Sequence, residues 1–540
     1  MIRQAGPRWD APDVLIVGAG ASGAAVAWSL SEAGVRVVCL EQGDWVSPES
    51  LPHGRDDWEL HRVTDFNPDP NVRQLASDYP VNAAASTFTP LMFNAVGGST
   101  IHWSAHFPRY HPSDFRVRSL DGVGDDWPLS YAELEPFYDL SDRLTGVSGL
   151  TGDPSQPPRS PRGTPPMPIG RLGATMASGF DKLGWHWWVS DGAIVSAPYD
   201  GRPACNLCGP CDIGCPTGAR ASADVTFWPR ALSNGAELRT GCRVREITLG
   251  SDGRARGVLY YDRAGALQQQ TARVVVVAAN GVGTPRLLLN SRSPRNPDGV
   301  ANRSGLVGKN LMFHPFAAVG GIFPEALDGW AGPIGSVIFS HEFYETDPRR
   351  DFVRGFGLQV VRQSGPLHAA LGGFTSSRVP WGGPHETVFA ERFGHTINIG
   401  VMGEDLPELV NEVTLDPSLA DGDGIPAPLV RYRLSDNSVR MLDFGVARAA
   451  EALRAAGATQ VLDNNPMRPS GWHLLGTCRM GDDPATSVVD RWGRAHDVAN
   501  LFIVDGSLFV TSAAVNPTTT IQALALRTAD YIKRTARSGA

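Results

Sequence analysis

A glycine-rich turn, VGAGASG, lies between an apolar strand and a helix near the start of this 540-residue chain, and it restricts the fold more than any other segment. From Asp13 to Gly43 the sequence reads as a strand, a glycine turn, a helix with small residues on its inner face and a second apolar strand. That is a βαβ unit, and its parts have separate physical duties. Gly18 permits the tight turn, Gly20 lets backbone approach a pyrophosphate, and Gly23 allows close helix–strand packing. Ser22 opens the helix, whose N-terminal amides attract phosphate oxygens. Glu41 ends the second strand, where a carboxylate accepts from both hydroxyls of a ribose. The expectation is a dinucleotide at the carboxyl edge of a parallel sheet.

Two distant segments are expected to join that sheet. ARVVVVAANGVGTPRLLLNSR, from Ala272 to Arg292, reads as a buried strand, a turn and a helix beginning near Thr284-Pro285. NLFIVDGSLF, from Asn500 to Phe509, supplies a last strand, with Asp505 and Gly506 placed to meet the ligand. Ser148 to Pro168 is rich in Pro and Gly and reads as a surface excursion or lid. From about Phe323 to Val461 apolar and polar positions alternate between turn signals, which predicts a largely antiparallel sheet closing one side of a pocket. The fold class is α/β: a Rossmann-like parallel-sheet lobe plus a substrate lobe with a mainly antiparallel sheet and helices. The nucleotide lobe is placed at 1–125, 221–322 and 465–540. An excursion carrying the Pro-rich loop and a cysteine cluster takes 126–220, and the substrate lobe takes 323–464.

A hydrophobic content of 42% over this length predicts a large interior divided among lobes. The formal net charge of −8 argues against a nucleic-acid partner, which would want a basic face. No run of about 20 apolar residues is present and the N-terminal MIRQAGPRWDAPD lacks an apolar signal core. The expectation is therefore no direct membrane insertion and a cytoplasmic location by default, with export on a partner subunit left open.

Four of the seven cysteines, Cys205, Cys208, Cys211 and Cys215, are bunched in CNLCGPCDIGCPTGA. Thiolates at these gaps, followed by Pro216, have the spacing that lets one short loop wrap an iron–sulfur cluster. A structural zinc, a disulfide knot and reduced packing thiols are the competing readings. Cys39, Cys242 and Cys478 lie in strand-like or core contexts and read as buried apolar residues.

VGAGASG with Glu41, NAVGGSTIHW from Asn94 to Trp103, AANGVGTPRLLLNS, GWHLLGTCRMG from Gly471 to Gly481, and NLFIVDGSLFVTSAAVNPTTTIQALALRTADYI occur in this order along the chain. With these motifs the chain resembles the glucose–methanol–choline (GMC) oxidoreductases, flavoproteins that oxidise alcohols and sugars. The resemblance implies FAD, hydride transfer to flavin N5, and a base to remove the hydroxyl proton. It places His473 as that base and Asn516, where many members carry His, as its partner. Bacterial sugar dehydrogenases and pyranose oxidases are the nearest by motif. Gly97, Gly98 and Ser99 are expected to form a backbone loop against the isoalloxazine. Val244, Asp505, Gly506, Asn516, Pro517 and Thr518 are counted with the cofactor-binding residues. Some relatives tether FAD covalently through a histidine at the position of His102; a packing or hydrogen-bonding role is the alternative. Asn516 before Pro517 also reads as an N-cap of the C-terminal helix, whose dipole would stabilise negative charge on the flavin.

Some bacterial members carry a three-iron cluster on C-x5-C-x3-C-P, which Cys205, Cys211 and Cys215 reproduce; Cys208 would make a four-iron cluster possible. The implied partners are a sugar or alcohol substrate, an external acceptor such as a cytochrome or quinone, and a small accessory subunit. A GMC oxidase that reduces O2 with structural cysteines, and a flavin electron-transfer subunit without its own substrate, are the competing functions. Trp185, Trp187 and Trp188 in GWHWW are candidates to stack a sugar face, although core packing is the commoner fate of tryptophan.

Overall fold

A computed structural model describes residues 11–362 and 365–537. The strand Val14–Val17 is the centre of a five-stranded parallel sheet. Val37–Leu40 pairs with it on one side and Val274–Val277 on the other. Glu237–Arg239 and Leu501–Ile503 close the two edges. Leu15, Val17, Val275 and Val277 face one hydrophobic cluster, while Val14, Ile16 and Val276 face the other. Burial on both faces explains why these strands are continuous apolar runs rather than alternating ones. The glycine turn, Glu41, Ala278 and Asp505 all follow strands of this sheet at their carboxyl ends, so residues hundreds of positions apart converge there.

The helix expected to begin near Thr284-Pro285 in fact runs from Asn280 to Asn290, with Pro285 inside it. Proline lacks the N–H that would bond four residues back, which frees the carbonyl of Gly281. The Thr477 hydroxyl donates to that carbonyl at 2.8 Å. A tertiary contact thus repairs the break that the sequence pattern suggested.

A six-stranded sheet takes its strands in the spatial order Gln460–Asn464, Phe316–Ile322, Thr396–Gly403, Phe356–Val361, Ser336–Ser340 and Trp188–Val189. All its pairings are antiparallel. Side chains alternate across it with a period of two. Leu358, Val360, Ile399 and Val401 enter a core with the helix Asp436–Ala456, whereas Gln359, Val361, Met402 and Phe316 face a cavity. That helix is long and amphipathic; Ser435 caps its first turn by accepting from the Ser438 amide at 3.0 Å. No regular helix or strand occupies 148–168, but Arg159 and Arg162 pin this segment to Asp191. No helix among the described residues is long and apolar enough to cross a membrane.

Candidate active site

Between the two sheets lies a cavity of about 740 Å³. At one end it is bounded by Gly18, Gly20, Ser22 and Glu41, and at the other by His102, His473 and Asn516. The helix Ala21–Glu32 starts at Gly20 with no side-chain cap, so its first amides are left for a ligand. Gly18 has φ +102°, and a Cβ there would lie 2.5 Å from the Ala278 carbonyl oxygen. Gly98 packs so close to Gly20 that a Cβ would lie 2.9 Å from the Gly20 Cα. Gly23 and Gly97 do not line the cavity; Gly23 packs against the Gly18 carbonyl, and Gly97 faces Ile101 and Asp224.

The Glu41 carboxylate accepts from the amides of Ala19 and Gly43, each at 2.8 Å. Burial raises its pKa, and these amide bonds oppose the rise. Val244, Ser99, Asp505, Gly506, Pro517 and Thr518 also line the cavity. Asp505 is pushed up by burial yet accepts from Ser507, Thr284 and the Asn280 amide. A cavity of this volume bounded by an open helix N-terminus, side-chain-free glycines and a carboxylate fits a dinucleotide such as FAD.

His102 packs against Phe93 with ring centroids 4.0 Å apart and the planes tilted by 53°, and its Nε2 is buried without a hydrogen-bond partner. Burial first, then Arg73, lowers its pKa to about 3, so the ring is neutral. This orphaned nitrogen on the cavity wall also fits a flavin neighbour.

His473 and Asn516 both line this cavity, although they are 43 residues apart in the chain. The His473 Nδ1 lies 2.9 Å from His314 Nδ1. Burial, reinforced by His314 and His106, holds the His473 pKa well below the ordinary imidazole range. Asn516 does not cap the C-terminal helix. That helix starts at Thr518, its first bond runs from the Ile521 amide to the Pro517 carbonyl, and the Asn516 Oδ1 is taken by Gln359. His314 and Gln359 were not among the expected site residues. His314, within the apolar run LMFHPF, carried no signal, whereas Gln359 carried a usable one as the one polar residue in the buried strand FGLQVV.

The four clustered cysteines line a separate, small cavity with His53 and Arg220. Among the described residues no group of three or more His, Cys, Asp or Glu is arranged to hold a metal ion, so the expected four-thiolate set is not assembled as such. The thiols turn instead to local partners. Cys205 Sγ accepts from the Leu207 amide at 3.4 Å, Cys215 Sγ from the Arg220 amide at 3.5 Å, and Cys208 is exposed. None is in a disulfide, which removes the knot. Burial pushes the Cys211 thiol up to about 12. Arg220 is 1% exposed, and its guanidinium donates to the carbonyls of Ile101, Trp103 and Cys211. It therefore ties the cysteine loop to the loop that carries Ser99 and His102. Cys39, Cys242 and Cys478 are buried, as expected. Trp185 and Trp187 pack on the antiparallel-sheet core, Trp188 donates to the Leu150 carbonyl, and none of the three lines the large cavity.

Comparison with known proteins agrees with this architecture. Residues 175–316 and 407–525 match the two family models described as GMC oxidoreductase, and 16–79 match an NAD(P)-binding Rossmann-like domain. The chain is 46% identical to 2-methyl-1,2-propanediol dehydrogenase of Mycolicibacterium austroafricanum, over 97% of this chain and 96% of that protein. It is 32% identical to the fructose dehydrogenase large subunit of Gluconobacter japonicus, over 98% of each. It is also 32% identical to paromamine 6'-oxidase of Streptomyces fradiae, over 96% of this chain and 91% of that one. Among solved structures, pyridoxine 4-oxidase from Mesorbium loti superposes with a TM-score of 0.65 at 19% identity, covering 96% of this chain and 99% of the other. That likeness concerns the fold alone.

Proposed function

The chain belongs to the GMC oxidoreductases, FAD-binding enzymes that act on alcohol groups, and on that basis we propose that it is a dehydrogenase with His473 as the base. Its substrate would be a sugar, glycoside or other alcohol, oxidised at one hydroxyl to the carbonyl. FAD, when bound, supplies the hydride acceptor. The observation that carries the reading is the presence of both His473 and Asn516 in the lining of the cavity that begins at Gly18 and Glu41. His473 removes the hydroxyl proton through the ring nitrogen that faces the cavity. Asn516, with its Oδ1 held by Gln359, turns its amide N–H groups to the substrate oxygen. The antiparallel sheet supplies an apolar wall of Phe316, Val361 and Met402 that excludes water.

Relatives named for 2-methyl-1,2-propanediol and fructose make dehydrogenation the favoured direction. The electrons would go to an external acceptor such as a cytochrome or quinone, and the relative named as a large subunit supports an accessory partner. To hold an iron–sulfur cluster for one-electron transfer, Cys205, Cys208, Cys211 and Cys215 would have to leave their local partners and converge, since they do not form a metal-binding group as they stand. Their spacing, their common cavity and the buried cation of Arg220 beside it support that assignment. A covalent FAD link through His102 is supported by its neutral, unpartnered Nε2.

The test is purified protein with bound FAD, titrated with a panel that includes 2-methyl-1,2-propanediol and fructose. Flavin bleaching by one of them, lost in His473→Ala while FAD is retained, is the expected outcome; near-normal turnover by His473→Ala defeats the assigned base. Iron and sulfide analysis on the same sample decides the cluster, and a peroxide assay separates the dehydrogenase from an oxidase.

A further inference from the structure

We propose that His314 fixes the tautomer of His473, leaving Nε2 of His473 as the one ring nitrogen able to take a proton from substrate. The inference rests on the reading of His473 as the base. His314 is a positioning residue, 2% exposed, two residues before the strand Phe316–Ile322 of the antiparallel sheet. Its Nε2 lies 3.2 Å from the carbonyl oxygen of Ser512. A carbonyl only accepts, so this nitrogen carries the hydrogen. A neutral imidazole has one N–H, and Nδ1 of His314 is therefore bare.

That bare nitrogen faces His473 Nδ1 at 2.9 Å. Two bare nitrogens at this distance would oppose lone pair to lone pair, so His473 Nδ1 must be the donor. The remaining nitrogen of His473 keeps its lone pair. The alternative arrangement requires a doubly protonated His314, and burial opposes it by lowering the His314 pKa to about 4. The proton positions in the chain from Ser512 through His314 to His473 are thus determined by one carbonyl.

The anchor itself is held from several directions. The Ser512 carbonyl also accepts from the Tyr110 hydroxyl, and the Ser512 hydroxyl accepts from the Asp405 amide at 2.7 Å. Ala513, next in the chain, has φ +56°, a left-handed conformation costly for a residue with a side chain. Strain of this kind persists only where surrounding contacts impose it, and here it lies three residues before Asn516.

The chain of bonds also sets the route of the proton. When the substrate O–H bond breaks, its proton forms a new bond to His473 Nε2, and His473 becomes an imidazolium that still donates from Nδ1 to His314. An inward relay would end at the Ser512 carbonyl, which does not hold a proton. The proton therefore leaves through the cavity side. His106, which also lines the cavity, is the other ring that lowers the His473 pKa.

The test is 15N NMR of the FAD-loaded enzyme labelled at histidine ring nitrogens, with the His473 signals identified from their absence in His473→Gln. The expected wild-type spectrum shows a protonated Nδ1 and a bare Nε2 for His473. His314→Leu, which removes the acceptor, should mix the two tautomers and lower kcat/KM by about 10²-fold. His314→Asn, whose Oδ1 restores an acceptor, should recover the single tautomer and most of the rate. A bare Nδ1 in the wild-type enzyme overturns the proposal without any variant having to fold, and so does a His314→Leu enzyme with wild-type tautomer and rate. Turnover by His473→Ala defeats the base assignment instead, so the two failures are distinguishable.

Discussion

Gln359 donates from Nε2 to the Oδ1 of Asn516 at 2.8 Å, across a wall where its neighbours Leu358 and Val360 point the other way into the core. The bond decides which end of the Asn516 amide the substrate meets. Gln359→Leu should lower kcat/KM by roughly 10-fold, since Asn516 is then free to rotate. Gln359→Glu should be worse: a carboxylate accepts only, attracts the Asn516 N–H groups and presents Oδ1 to the substrate oxygen. Steady-state kinetics at matched FAD content check this, and a Glu variant as active as the Leu variant would contradict it.

The pH dependence of kcat/KM follows from the depressed pKa of His473, caused first by burial and then by His314 and His106. A base works when neutral, and it is lost as pH falls through its pKa. The acidic limb should therefore lie below the ordinary histidine value of about 6.5. The rate should be flat from about pH 6.5 to 8 as far as this group is concerned. An acidic limb above that value would be incompatible with this burial.

Asp405 makes a prediction about stability. Burial pushes its carboxyl up to about 7, against hydrogen bonds from the Tyr432 hydroxyl and the Phe313 amide. The folded state then binds more protons than the unfolded one, whose value is about 3.9. The contribution is fully present below the unfolded pKa and is lost as pH rises through about 7. The melting temperature of wild type minus that of Asp405→Asn should fall by about 2–3 °C between pH 4.5 and 8. A difference independent of pH would mean that the carboxyl does not titrate in this window.

Two glycines separate backbone strain from collision. Gly34 has φ +76° and nothing within 4 Å of a built Cβ, so Gly34→Ala should cost only about 1 kcal/mol. Gly18 combines φ +102° with a Cβ 2.5 Å from the Ala278 carbonyl oxygen. Gly18→Ala must displace backbone between two strands of the parallel sheet, and it should both destabilise by more than about 2 kcal/mol and release FAD. Thermal melts with flavin fluorescence read both quantities. Equal effects for the two variants would remove the argument from close approach.

Much of this site was legible before any tertiary contact was known. His473 and Asn516 were expected from the family resemblance, whereas the glycine turn, Glu41 and Asp505 are set by local demands, a turn that admits only glycine and a carboxylate at a strand end. The parallel sheet was legible for the same reason, because strands buried on both faces are written as continuous apolar runs. What the sequence could not carry is whatever depends on two distant groups meeting. Pro285 looked like a helix start because the Thr477 hydroxyl that satisfies Gly281 is nearly 200 residues away. Asn516 looked like a cap because Gln359 lies on the antiparallel sheet, 157 residues away. His314 drew no expectation from the sequence, because only the approach of the Ser512 carbonyl turns a buried ring into a tautomer lock. Hydrogen-bond direction is a property of pairs, and the folded chain chose the pairs.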